Sequence, residues 1–167
     1  RTVTLVEVRD EYTYGHQMRV ANLACAIATR MGLPHDRIVG LRLAGIIHDI
    51  GKVAVPSEIL SKPGRLTADE MAIMRRHPQV AYDILKTFTL PWPVADIVHQ
   101  HHERLDGTGY PQGLHGDEIC LEAKILAVAD VVEAMASHRP YRPALGIDRA
   151  LAEITSKSGT LYEPAVV

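Results

Sequence analysis

Histidine is the residue type that could carry most of the chemistry in this sequence. The chain has nine histidines in 167 residues, against one Trp and one Phe. Neutral imidazole is a common metal ligand, and it also exchanges protons near neutral pH. The nine are His16, His35, His48, His77, His99, His101, His102, His115 and His138.

The pair His48-Asp49 closes the apolar run 41–47 and is followed by Lys52. A carboxylate at the buried end of an apolar helix is costly unless it is paired or bound to a metal. The alternative is an ordinary helix C-terminus, with His48 near the last carbonyl groups and Gly51 as a left-handed stop. The pair by itself supports both interpretations about equally.

Asp130 lies in a second apolar run, 125–132, without a neighbouring base that could neutralise it. Its partner must therefore come from elsewhere in the fold. One interpretation is an ion pair with an Arg of another helix. The other is a cation that Asp130 shares with His48 and Asp49.

The remaining candidate ligands are histidines at three places in the chain. His77 directly precedes a proline, and His16 opens the first clear helix. Spacing does not decide which of His99, His101 and His102 are ligands, because adjacent residues on a helix point about 100° apart. The whole inventory is five imidazoles and two carboxylates, all at helix ends or in otherwise apolar helices.

This donor set indicates the class of metal. Mixed histidine and carboxylate ligands suit Fe or Mn and are also compatible with Zn, Ni or Mg. Because no Cys is among the candidate ligands, a structural zinc site is not favoured. Seven protein ligands exceed what one octahedral ion can accept while keeping a position open for substrate. Two ions that share one carboxylate are the economical arrangement.

Helices must position these residues, because the hydrophobic spacing is helical nearly throughout. Apolar residues recur at threes and fours from Met18 to Met31, and Gly32 supplies a stop. The pattern predicts an all-α domain with loops at 87–93 and 104–119. The strand-like alternation of apolar and polar residues is no longer than 53–55. Further helices are predicted over 35–49, 67–76 with a Thr67–Glu70 capping box, 78–88, 93–103, 121–136 and 147–157, with another beginning at Pro164.

Length and charge narrow the class of protein. The sequence predicts one domain over residues 1–167, interpreted as excised from a longer regulatory protein and located in the cytoplasm. The formal net charge of −2 argues against a general nucleic-acid or membrane-surface binder but allows a small anion. The sequence pattern predicts neither a signal peptide nor a membrane-spanning run. Cys25 and Cys120 are predicted to be free thiols.

Seven motifs in order resemble the HD-GYP family of bacterial cyclic di-GMP phosphodiesterases, over nearly the whole chain from about Asp10. The resemblance implies an all-α HD-domain helical bundle with additional helices and a long loop that contains the GYP sequence. The motifs are Tyr12-Thr-Tyr-Gly-His16, His48-Asp-Ile-Gly-Lys52, Lys62-Pro-Gly64, His77-Pro78, His101-His-Glu-Arg-Leu-Asp-Gly-Thr-Gly-Tyr-Pro111, Ala129-Asp130 and Arg139-Pro-Tyr-Arg142.

The resemblance also implies a metal-ligand set. One ion would be held by His16, His48, Asp49 and Asp130, and a second by His77, His101 and His102 with Asp49 bridging. His99, His35, His115 and His138 match no ligand position. Family members with a third metal have a carboxylate where this chain has Tyr12, so two ions are expected, although Asp10 and Glu11 lie close by.

The implied reaction is hydrolysis of cyclic di-GMP to linear pGpG, GMP or both, by a hydroxide that bridges two metal ions. Lys52 would offset charge on a non-bridging phosphate oxygen, and Asp49 would hold both metals. Arg139, Arg142 and Tyr110 are the implied substrate contacts. Glu133 stands where the family usually has an Asp that contacts the substrate, and its longer side chain could shift guanine recognition or allow another cyclic dinucleotide, such as the mixed G/A form.

Two other classes of protein stay open at this point. One is a receptor that binds cyclic di-GMP, or a cyclase partner, without turning it over. The other is a mononuclear HD nucleotidase that needs only the first group of ligands. In this family the loop from Asp106 to Pro111 is also thought to contact diguanylate cyclase domains, and a homodimer is compatible with the resemblance.

Overall fold

The computed structural model describes residues 11–62, 64–137 and 144–167, with side chains from Gly15 onward. Within these ranges the chain folds into eight α-helices and two 3₁₀ helices. The α-helices are α1 (Glu11–Arg30), α2 (His35–Ile47), α3 (Ser57–Leu60), α4 (Ala68–Met74), α5 (His77–Leu85), α6 (Val94–Gln100), α7 (Leu121–Ala136) and α8 (Ile147–Ser156); the 3₁₀ helices are η1 (Ile50–Ala54) and η2 (Gly116–Glu118).

The all-α prediction is confirmed. The described residues form no strand, and their two isolated β-bridges join Asp106 to His115 and Ser158 to Tyr162. None of the helices in these parts of the chain combines the length and apolar character needed to cross a bilayer. Cys25 and Cys120 are both free thiols, as predicted.

Helix α7 lies at the centre of the bundle, where it packs against α1, α2, α6 and α8. Its residues Ile125, Leu126 and Val128 are almost completely buried. Each such side chain contributes roughly 1.5–3 kcal/mol through removal of apolar surface from water. This burial fixes the position of Asp130, which is on the same helix.

Helix α1 packs against both α2 and α7, and α5 packs against α6 and η1. Val20 and Ala24 of α1 and Leu41 of α2 are fully buried where these helices join the core. The packing brings the end of α2, the start of α5 and the end of α6 to the same side of α7. These helix ends are the places that carry the candidate ligands.

The structure corrects two predicted helix boundaries. His16 does not open the first helix but lies inside α1, which includes Gly15. Helix α6 ends at Gln100, so the pair His101-His102 follows the helix. Residues 164–166 form a turn, in which the backbone N–H groups of Val166 and Val167 both donate to the Glu163 carbonyl, and the helix expected from Pro164 stays a prediction.

The predicted capping box at the start of α4 is confirmed. The Thr67 hydroxyl accepts from the Glu70 N–H at 3.2 Å, and the Glu70 carboxylate accepts from the Thr67 N–H at 3.0 Å. Two N–H groups that a helix terminus leaves unpaired are satisfied in this way.

Candidate metal centre

All seven predicted ligands lie together where five segments of the chain meet. Five of them are buried, and His102 and Asp130 are half-buried. His16 is on α1, His48 and Asp49 follow α2, His77 begins α5, His101 and His102 follow α6, and Asp130 is on α7.

The first group contains His16, His48, Asp49 and Asp130. One oxygen of Asp130 lies 3.1 Å from His16 Nε2 and 3.4 Å from His48 Nε2. The Oδ2 atom of Asp49 lies 3.4 Å from the same His48 nitrogen. Ligand atoms of His16, His48 and Asp49 all lie within 4.8 Å of one another, so a single cation could contact them together.

The second group contains His77, His101 and His102, whose ligand atoms also lie within 4.8 Å of one another. The ring centroids of His101 and His102 are 4.1 Å apart, and that of His77 is 5.5 Å and 5.0 Å from them. The Oδ1 atom of Asp49 lies 4.0 Å from His77 Nδ1. Asp49 is therefore between the two groups.

Backbone carbonyls orient two of the imidazoles. The Nδ1 atom of His48 lies 2.6 Å from the Gly45 carbonyl oxygen, and that of His101 lies 2.5 Å from the Val98 oxygen. A carbonyl only accepts, so each Nδ1 carries the proton and donates it. Each Nε2 is thereby directed into the site.

Unsatisfied ring nitrogens are the observation that fits metal ions to this site. Among the residues that the structure describes, His48 Nε2, His77 Nδ1 and His101 Nε2 are buried without a well-formed hydrogen bond. Leaving a buried polar atom unpaired costs about 1–3 kcal/mol. Cations held by these nitrogens and by the carboxylates of Asp49 and Asp130 would satisfy them.

The two groups differ in their protonation. Burial lowers the pKa of His101 to about 4 and holds the pKa values of His77 and His102 well below the usual range. Burial alone would also lower the pKa of His16, but the carboxylates of Asp130 and Glu133 raise it to about 9. The second group is therefore neutral at pH 7, whereas His16 carries a proton.

The two aspartates are ionised despite their environment. Burial opposes ionisation, yet His48 and Lys52 hold the pKa of Asp49 well below its usual range. His16 and His48 have the same effect on the pKa of Asp130. The site therefore has two fixed negative charges, as a cation site requires.

A glycine lets the two groups approach each other. A Cβ atom on Gly51 would lie 1.8 Å from the His77 carbonyl oxygen and 3.0 Å from the Ala81 nitrogen. Both of those residues are in α5, which His77 begins. Any side chain at this position would push η1 and α5 apart, and so separate Asp49 from His77.

Lys52 lies next to the bridging position. Its ammonium group is 3.2 Å from Asp49 Oδ2, and its side chain is 32% exposed. The partial exposure leaves the ammonium group accessible to a small anion that approaches the site.

The aromatic ring of Tyr110 lies beside the second group. Its ring stacks on that of His102, with centroids 4.8 Å apart and planes 16° apart. Its backbone N–H donates to the His102 carbonyl at 3.2 Å. The Arg75 guanidinium carbon lies 5.2 Å from the centre of the Tyr110 ring. The GYP sequence is thereby packed directly against a candidate ligand.

Glu103 is a residue to which sequence reasoning gave no role. It is 2% exposed, and its two oxygens accept from the backbone N–H groups of Gln112 and Leu114, at 2.8 Å and 2.9 Å. It thereby ties the loop at 104–114 to the end of α6. The position of Glu103 directly after the ligand pair could have indicated a role, but the sequence did not show that its side chain is buried.

The structure gives Glu133 close partners. Its Oε1 atom accepts from Arg19 Nε at 2.5 Å and from the Ser137 hydroxyl at 2.6 Å, and lies 3.8 Å from His16 Nδ1. The predicted contacts Arg139 and Arg142 lie outside the described residues. The same holds for His138, for Asp10, and for the side chains of Glu11 and Tyr12, on which a third metal would depend.

The other described histidines contact different parts of the protein. His99 is buried, stacks on Tyr82 with centroids 4.3 Å apart, and lies 2.8 Å from the Gln79 side-chain oxygen. His35 and His115 are exposed. The described residues form a third set of close ligand atoms, His48, His101 and Asp130, which overlaps the two groups, and none of the three sets includes His99, His35 or His115.

Comparison with known proteins gives consistent results. The model of the HD domain family matches residues 3–166. The chain is 41% identical, over its full length, to 45% of the cyclic di-GMP phosphodiesterase response regulator RpfG of Xanthomonas campestris pv. campestris. It is 39% identical, over 96% of its length, to 35% of the 3'3'-cGAMP-specific phosphodiesterase 3 of Vibrio cholerae. The chain thus spans less than half the length of these relatives.

A solved structure has the same fold. It is Bd1817, an HDG"Y"P protein from Bdellovibrio bacteriovorus, which superimposes with a TM-score of 0.71 at 20% identity. The alignment covers 92% of this chain and 49% of Bd1817.

Proposed function

This chain belongs to the HD domain family and to its HD-GYP group, and we propose that it is a metal-dependent phosphodiesterase that hydrolyses cyclic dinucleotides. The observation that carries the proposal is the pair of adjoining ligand groups with Asp49 between them. A site with two ions suits the hydrolysis of phosphodiesters.

Two divalent ions, with Fe or Mn favoured by the donor set, would occupy the two groups. When bound, such ions lower the pKa of water to give a hydroxide nucleophile and neutralise phosphate charge. The first group would use His16, His48 and Asp130, the second His77, His101 and His102, and Asp49 would bridge.

The chain itself supplies fixed positions and charge. The carbonyls of Gly45 and Val98 hold the rings of His48 and His101, so little reorientation is needed when ligands engage. Lys52, partly exposed beside Asp49, would pair with a non-bridging phosphate oxygen and offset the charge that develops during hydrolysis.

Substrate binding would involve residues around the metal groups. Tyr110 presents an aromatic wall next to His102, against which a purine base could stack. Arg139 and Arg142 are proposed to bind phosphate or the guanine edge, for which the guanidinium fork is suited. The near-neutral net charge is compatible with an anionic substrate, because cationic groups are required only locally.

Cyclic di-GMP is the proposed substrate, with linear pGpG, GMP or both as products. The similarity to RpfG, which is named a cyclic di-GMP phosphodiesterase, supports this choice. A second candidate is the mixed G/A dinucleotide, because a relative of 39% identity is named a 3'3'-cGAMP-specific phosphodiesterase. The test is to incubate the metal-loaded chain with each dinucleotide and to identify the products by chromatography.

The loop that carries Tyr110 supports one further proposal on partners. Pro111 and Gln112 are exposed at its tip, while Glu103 fixes its base. An exposed tip on a fixed base could contact a diguanylate cyclase domain. Loss of a measured complex with such a domain in Gln112→Ala, with hydrolysis retained, would support this role.

A further inference from the structure

Glu133 lies on α7 three residues after Asp130, and both carboxylates face His16. Asp130 Oδ1 lies 3.1 Å from His16 Nε2, and Glu133 Oε1 lies 3.8 Å from His16 Nδ1. The imidazole therefore has one carboxylate at each ring nitrogen. Because Glu133 is only 8% exposed, this contact is made inside the protein.

The same orientation recurs in the neighbouring imidazoles. His48 and His101 each donate from Nδ1 to a backbone carbonyl three residues earlier, and each directs Nε2 into the site. His16 is in the interior of α1, and its Nδ1 faces Glu133, which is on a different helix. For His16 a side-chain carboxylate takes the side of the ring that faces a carbonyl in the other two, at 3.8 Å, which is an ion-pair contact and longer than their hydrogen bonds.

Arg19 keeps Glu133 in this position. Its Nε atom donates to Glu133 Oε1 at 2.5 Å, and the Ser137 hydroxyl donates to the same oxygen at 2.6 Å. Arg19 and His16 are three residues apart on α1, so they lie on the same side of that helix. Charge-assisted hydrogen bonds of this kind offset the desolvation of a buried carboxylate.

We propose that Glu133 is a positioning residue for His16, which directs the Nε2 atom of that histidine toward the first metal group, and that it does not contact the substrate. The proposal rests on the proposed two-metal function. Carboxylates behind metal-binding histidines fix ring orientation, and their removal weakens metal binding by about 10–100-fold. Glu133 is buried and bonded to Arg19 and Ser137. The substrate contact predicted from the sequence would instead need a side chain that is accessible to guanine.

Glu133→Asp is the most informative variant, because it keeps the charge and shortens the side chain by one methylene. If the role is to reach His16, Glu133→Asp weakens one of two Mn²⁺ binding events by about 10–100-fold in calorimetry and leaves the other unchanged. At saturating Mn²⁺ the KM for cyclic di-GMP stays at the wild-type value. Glu133→Gln, which removes the charge but keeps the length, provides a second variant with the same expected direction.

Glu122→Gln is the matched control. Glu122 is another buried glutamate of α7, at 7% exposure, and it pairs with Arg37 away from the metal groups. We expect this change to alter thermal stability without altering either Mn²⁺ affinity. Circular dichroism of each variant verifies that the helical fold is retained.

The inference is overturned if Glu133→Asp and Glu133→Gln bind both Mn²⁺ ions with wild-type affinity while the KM for cyclic di-GMP rises, because a substrate contact would give that result. Mn²⁺ binding needs no turnover, so the two proposals fail separately. A wild-type chain that binds two Mn²⁺ ions but hydrolyses no dinucleotide would contradict the phosphodiesterase function and leave the role of Glu133 intact.

Discussion

The Oδ1 atom of Asp49 lies 4.0 Å from His77 Nδ1, and its Oδ2 atom lies 3.4 Å from His48 Nε2. One carboxylate thus faces a histidine of each group. A ligand shared by two ions must have this arrangement, and Gly51 makes it sterically possible.

Asp49→Asn should affect both ions at once, because the amide has only one oxygen and no charge. We expect hydrolysis to fall by more than about 100-fold. Changes to groups that only hydrogen-bond to a metal ligand already reduce metal affinity or activity by about 10–100-fold. Metal content measured by inductively coupled plasma mass spectrometry should fall below two ions per chain. His35→Gln, at an exposed histidine, is the control and should retain both properties.

His77→Ala separates a binuclear site from a mononuclear one. His77 belongs only to the second group, so its removal should reduce the metal content from two ions to one and abolish most hydrolysis. His101→Ala should have a similar effect on the second ion. Unchanged activity and metal content in these variants would support the mononuclear alternative.

The two groups should also differ in the pH dependence of metal binding. His16 has a pKa raised to about 9, so below that pH a metal at the first group must displace a proton, and its affinity should fall as the pH falls. His101, with a pKa of about 4, and His77 and His102, whose pKa values are also lowered, are already neutral at pH 7. Affinity at the second group should therefore change little between about pH 6 and pH 8.

Calorimetry with Mn²⁺ in buffers of different ionisation enthalpy measures both effects, because it counts the protons released on binding. One site should release protons at pH 7 and the other almost none. Equal proton release at both sites would contradict the assignment of charge to His16.

Glu103→Gln should loosen the loop that carries Tyr110. The amide nitrogen cannot accept a hydrogen bond, so the N–H of Gln112 or Leu114 loses its partner, at a cost of about 1–3 kcal/mol. We expect faster hydrogen exchange over residues 104–114 and a higher KM. Glu122→Gln serves again as the buried control, and equal exchange in the two variants would contradict a specific role for Glu103.

Thr67→Ala tests the helix cap alone. Loss of the hydroxyl acceptor should lower the free energy of unfolding by about 0.5–2 kcal/mol, measured by urea denaturation. Binding of Mn²⁺ should not change. Thr160→Ala, at an exposed turn residue, is the control, and an equal loss of stability in the two variants would contradict the capping role.

Much of the fold was predictable because local rules decide it. The apolar run around Asp130 gave the bounds of α7, and the Thr67–Glu70 pattern gave the start of α4. The start of α1 was placed too late, because Gly15 and the aromatic residues before it weaken the helical pattern. Packing of α1 against α2 and α7 outweighs that weak propensity.

The choice of His101 and His102 over His99 came from the family resemblance, because spacing left the three equivalent. The structure separates them physically: His99 stacks on Tyr82, whereas the other two adjoin His77. The roles of Glu103 and Glu133 depend on burial and on partners distant in the sequence. Such contacts become visible only in the folded chain.

The central claim is that this chain hydrolyses a cyclic dinucleotide with two metal ions held by the seven ligands. The most direct measurement combines anaerobic purification and metal analysis with chromatography of the products formed from cyclic di-GMP and from the mixed G/A dinucleotide. The account predicts two ions per chain and conversion of at least one dinucleotide to a linear product. Binding of cyclic di-GMP by the chain with both ions present, without any linear product from either dinucleotide, would contradict it and indicate a receptor.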